Sequence, residues 1–243
     1  MIKQCFQAEW LKMRRSHIWV VFMILPLVSV IIGWANYVMN QGTLQKEWYS
    51  LWSQVGLFYG EFFFPILIAI GCSYQCRLEH QNKNWHLVLT APVSLAALFA
   101  AKLGVVATLL LLVQAFFCLL YVCGGLLAGL PASLPAELPG WLLRGWIAAM
   151  TIAVFQLALS MRIKSFATPV GIGLCAVFFG LGMYVLKLGL FFPHSLLTVG
   201  MGVLSQEGLD FGSNVVFLLM NALFGVGIST VSLRRLRKSD VLA

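Results

Sequence analysis

Charge is what this sequence has least of. Charged residues make up 10% of its 243 positions, where a soluble chain carries roughly 25%. No polar stretch is long enough to fold as a soluble catalytic domain, and there is no repeat or low-complexity segment. The tripeptide Gly-Lys-Ser/Thr is absent. That excludes the usual phosphate-cradling loop, and with it ATP hydrolysis by this chain. No HExxH helix occurs, and His17, His80, His86 and His194 fall in loops or at span ends. Neither a metal-dependent nor a histidine-activated serine protease within the membrane is therefore expected. Cys5, Cys72, Cys76, Cys118, Cys123 and Cys175 form no CxxC pair and read as small buried apolar residues. Acids are scarcer than bases, eight against sixteen, and of the acids only Glu61 lies close to an apolar stretch. A proton-relay chain of intramembrane carboxylates is thus missing, and the energy for any transport must come from outside the chain.

Hydrophobic residues, by contrast, make up 60%. They gather into six runs at about 18–37, 57–74, 103–123, 141–160, 166–186 and 212–233. Each is long enough to cross a hydrocarbon core of roughly 30 Å as a helix. The first run is too long for a signal peptide, lacks a small-residue cleavage site after it, and is expected to be retained. Thirteen of the sixteen bases lie on one side of these runs; only Lys46, Arg144 and Lys187 lie on the other. The positive-inside rule then predicts two cytoplasmic termini. The net charge of +8 is explained by anionic lipid head groups and calls for no nucleic acid. The expected fold is an all-α membrane protein, one domain over 1–243, with six transmembrane helices.

Three further segments carry structure. Ile2, Phe6, Trp10 and Met13 share one stripe, which predicts an amphipathic helix over 1–16 lying in the cytoplasmic interface. Pro131, Pro135 and Pro139 predict an extended turn over 131–141. The run Phe191 to Leu197 is too apolar for a loop and too short to cross, so a short dipping helix is expected there. Glycines at 56 and 60, 125 and 129, and 171, 173, 180 and 182 allow close helix approach, within the chain or against another subunit. Glu61, beside Phe62, Phe63, Phe64 and Pro65, is read either as a water-facing interfacial carboxylate or as an outer-face contact for a cationic substrate.

The most specific stretch runs from Glu79 through Trp85, Leu89, Pro92 and Val93 to Ser94, with Lys102 beyond. A carboxylate opens it, a short amphipathic turn carries Trp85 and Leu89, and Pro92 stops that turn. Ser94 can cap the next helix, and Lys102 can snorkel as that helix enters the bilayer. Glu79, Leu89, Pro92, Val93, Ser94 and Lys102 resemble the loop between the second and third spans of ABC-2 exporter permeases. The Asn82-Lys83-Asn84-Trp85 version is similar to permeases that give self-protection against lantibiotic peptides. The resemblance implies a permease subunit that binds no cofactor itself, with ATP and Mg on a partner. It implies two copies of an ATP-binding subunit pushing on 79–94, a second permease, identical or different, and expulsion of a cationic peptide from the membrane lipid. Other lipophilic substrates fit the same frame. From a different class, an ion-coupled transporter or channel needs no ATPase.

Overall fold

The computed structural model describes residues 2–81 and 93–238. Among these residues every regular element is helical, and six helices are long and apolar enough to cross a membrane. In chain order they are α1 (Ile2–Arg14), α2 (Ile18–Met39), α3 (Glu47–Gly56), a π-helical stretch (Leu57–Phe63), α4 (Phe64–His80), α5 (Leu95–Leu127), α6 (Leu138–Ser160), α7 (Ala167–Val185), a 3-10 turn (Gly189–Phe191), α8 (Pro193–Gly200) and α9 (Phe211–Lys238).

The spans are longer than their apolar runs. The second, expected over 57–74, is one helix from Glu47 to His80. The polar residues at both of its ends look like loop, but they face protein: Trp48, Ser50, Trp52, Gln75 and Glu79 are all buried. The third span likewise begins at Leu95 rather than 103. Ser94 caps it, its Oγ accepting from the Ala97 N–H at 3.2 Å. The proline turn is also shorter than expected, because α6 starts at Leu138 with Pro139 in its first turn. There a missing N–H costs nothing, since first-turn amides have no helical acceptor.

Within the second span the backbone widens to π geometry just before Pro65. A proline ring crowds the carbonyl four residues back and cannot donate to it. The wider turn relieves that crowding: Phe64 N–H bonds to the Tyr59 carbonyl, five residues back. Gly60 lets the turn pack on the segment after α8, where a Cβ would lie only 3.0 Å from Val203 and 3.1 Å from Met201.

An aromatic nucleus fills the end of the bundle where α3 begins. Trp52 stacks on Trp141 at 4.9 Å and meets Tyr121 edge-on at 5.2 Å. Their polar atoms are spent on the backbone: Trp52 Nε1 donates to the Met201 carbonyl at 2.9 Å and Tyr121 OH to that of Trp48 at 2.8 Å. The expected dipping helix is α8, whose residues from His194 to Thr198 are buried. Gly56, Gly60, Gly125, Gly173 and Gly180 pack inside the chain, whereas Gly171 and Gly182 face open space. Cys72 and Cys76 are buried as expected, but Cys123 and Cys175 are exposed.

Among the glycines, Gly33 comes closest to the backbone of another helix. A Cβ there would sit 2.5 Å from Val55 Cα, and backbone cannot rotate away. Gly33→Ala is expected to lower stability by about 1–3 kcal/mol. Gly171→Ala, in open space, should be neutral or slightly stabilising. Thermal midpoints of the two detergent-purified variants check the contrast.

Candidate coupling site

The N-terminal helix docks through its apolar stripe. Met13 is fully buried, and Phe6 and Trp10 are half-buried. Phe6 covers Gly104 on α5, where a Cβ would lie 3.3 Å from the ring, and Trp10 meets Trp19 edge-on at 6.0 Å. Helical spacing puts Glu9 on this same stripe, between Phe6 and Met13, and it is 3% exposed.

A carboxylate there needs counter-charge, and the structure supplies it from three elements. Lys102, in the second turn of α5, has no exposed surface. Its Nζ reaches Glu9 at 2.8 Å and Glu79, in the last turn of α4, at 2.9 Å. Lys12 closes the ring from the other side, 2.6 Å from Glu9 and 2.7 Å from Glu79. The charges alternate around a square: Glu9, Lys102, Glu79, Lys12. Lys102 also donates to the Gln75 carbonyl at 3.4 Å, so all three ammonium protons find acceptors. Only Lys12 reaches water, its side chain 35% exposed. Burial alone would push the Glu9 carboxyl up, but the Lys102 charge and hydrogen bonds from Lys102 and Lys12 hold it below its ordinary value.

Glu79 would be poorly placed by itself, because a helix C-terminus disfavours negative charge. Its two lysines offset that. The same end of α4 is tied to the end of α6, where His80 Nε2 lies 2.9 Å from the Ser160 carbonyl and Ser73 lies 3.2 Å from Ser160 Oγ. Glu79 and Lys102 bracket the segment between α4 and α5, and both are fastened to α1. The arrangement joins both ends of the segment between α4 and α5 to the N-terminal helix, so displacing one strains the other two.

Two expectations are corrected. Glu79 does not open a loop but is buried within a helix, and Lys102 does not snorkel, because it is paired inside the protein. Val93 and Ser94 lie at the start of α5, Val93 half-buried and Ser94 exposed. Trp85, Leu89 and Pro92 fall outside the described residues. Glu61 does not face water, the first of its two readings: it is 3% exposed and accepts from Thr198 Oγ1 of α8 at 2.6 Å. It sits in the π-helical stretch, whose turn carries it against α8. Glu9 and Lys12 were missing from the sequence-derived site. The available signal was a lone carboxylate on an otherwise apolar stripe.

Among the described residues no three of His, Cys, Asp or Glu converge to hold a metal ion. A family model described as ABC-2 family transporter protein matches residues 5–180. The chain belongs to that family. The matched region includes all four ring residues and both ends of the inner loop. A search of curated proteins finds no matching relative.

Removing one member of a buried charge set leaves its partners uncompensated, typically at about 3–5 kcal/mol. Lys102→Met is therefore expected to destabilise by that order, and Lys12→Met, at the half-open corner, by clearly less. Chemical denaturation of the two detergent-solubilised variants checks the ranking.

Proposed function

We propose that this ABC-2 family membrane protein is the permease subunit of an ATP-driven exporter, in which residues 79–94 receive the push of the ATPases. The observation that carries this reading is the charge ring. A loop meant to transmit force needs its ends clamped, and both ends of this one are clamped to α1. Two copies of an ATP-binding subunit would bind ATP and Mg. A second permease, identical or a different six-span protein, would complete the pair. Both termini would lie inside a bacterial cytoplasmic membrane, consistent with the basic residues gathered on that side.

The substrate we favour is a cationic amphipathic peptide of the lantibiotic kind, expelled outward to protect the cell. The Asn82 to Trp85 pattern supports it; other lipophilic substrates fit the same machinery. The interior offers buried polar groups a polar substrate could engage during the cycle. Glu61 is bonded only through Thr198, and the side chains of Gln75, Gln156 and His194 have no hydrogen-bond partner among the described residues. Two packings of the bundle a few kcal/mol apart, biased by the ATPases, would suffice to move it.

A mild-detergent pull-down of the tagged chain from its native membranes is expected to bring an ATP-binding subunit in near-stoichiometric amount. With that complex reconstituted, Trp85→Ala should abolish substrate-stimulated ATP hydrolysis while insertion of the chain is unchanged. A chain that repeatedly emerges alone would favour an ion-coupled transporter or channel. Undiminished stimulation in Trp85→Ala would remove the coupling role from this loop.

A further inference from the structure

The α6 and α9 helices are joined midway by a buried hydrogen bond, Thr151 Oγ1 to Asn221 Oδ1 at 2.7 Å. Toward the end of the bundle that carries the C-terminus, a groove of about 280 Å³ lies between them. Its walls are apolar: Phe155, Ala158 and Leu159 on one side, Gly227, Ile228 and Val231 on the other. The apolar wall residues span five positions on each helix, so the strip is about 6 Å long. Gly227 leaves it open, since a Cβ there would meet nothing within 4 Å. At its charged end stand two arginines from different elements, Arg162 just past α6 and Arg235 near the end of α9, with Ser232 beside them. Among the described residues no carboxylate lines the groove.

We propose that this groove binds one anionic phospholipid, an acyl chain along the apolar strip and the phosphate at Arg162 and Arg235. Charge complementarity selects this occupant. A guanidinium fork matches phosphate oxygens bidentately. Arg235 also engages the protein itself, but with five N–H donors a guanidinium is not exhausted by one partner. Two guanidiniums at one end of the strip favour a net negative head group over a zwitterionic one. The site is independent of what the protein exports.

The test is native mass spectrometry of the full chain purified from vesicles with equal phosphatidylglycerol and phosphatidylcholine. The wild type should retain one phosphatidylglycerol per chain in preference to phosphatidylcholine. Arg162→Gln with Arg235→Gln should reduce that preference by about fivefold for each guanidinium removed. Gly227→Leu should cut retention of either lipid by filling the strip. Equal retention of the two lipids by the wild type would overturn the proposal. So would unchanged retention in the double variant or in Gly227→Leu. Loss of retained lipid on adding inorganic phosphate alone would mark a free-anion site instead. A disulfide between copies carrying Val231→Cys would show that a second chain fills the groove, and would equally overturn it.

Discussion

An ammonium group with no exposed surface cannot stay charged inside a protein unless anions replace the water it has lost. Lys102 sets that condition, and much of the inner architecture follows from it. Glu79 must come from the end of α4 and Glu9 from α1, since Lys102 has both within 2.9 Å. Two carboxylates so close would repel each other, so a second cation is needed, and Lys12 provides it at 2.6 and 2.7 Å. Desolvating each ion costs several kcal/mol, which short contacts and a full set of hydrogen bonds offset only while all four groups stay in place. A set of this kind favours one arrangement of three helices and penalises partial ones.

The opposite end of the bundle is held differently. Trp52, Trp141, Tyr121 and Phe117 pack as a rigid aromatic nucleus, with Tyr59 stacked on Phe117 at 3.6 Å. One continuous helical span connects the two regions: Trp52 and Glu79 are 27 positions apart, about 40 Å of helix. Between them lies the π-helical stretch with Glu61 bonded to α8. A rigid nucleus, a widened turn and a charge-locked end give this span a place to bend. The Glu61–Thr198 hydrogen bond ties this stretch directly to α8.

The six spans were legible because apolar runs of bilayer length admit few other readings. The stripe of Ile2, Phe6, Trp10 and Met13 likewise announced α1. What the sequence could not show was where helices continue past their apolar stretch. Gln75, Glu79 and His80 read as loop, since the partners of the Gln75 carbonyl and of the Glu79 and His80 side chains come from α1, α5 and α6, and no local pattern names partners so far away. Glu61 was misplaced by the same error. A span drawn from 57 puts it near water, but one beginning at Glu47 carries it 14 residues, about 21 Å, into the helix. Lys102 looked like an ordinary interfacial lysine because its two carboxylate partners lie 93 and 23 residues away. Glu9 alone left a trace, as a charge on an apolar stripe.

Membership of the ABC-2 transporter family and the charge ring converge on one picture: a membrane transport component whose N-terminal helix is fastened to both ends of the segment between α4 and α5. Its central physical claim is that α1, α4 and α5 are held by one coupled set of charges rather than by separate pairs. A double-mutant cycle on stability with Glu9→Gln and Lys102→Met measures that coupling. The expected interaction energy is about 1–3 kcal/mol, as for residues sharing one charge network. Effects that add to within about 0.5 kcal/mol would mean that Glu9 and Lys102 act independently, and would contradict the ring as the element joining the N-terminal helix to the inner loop.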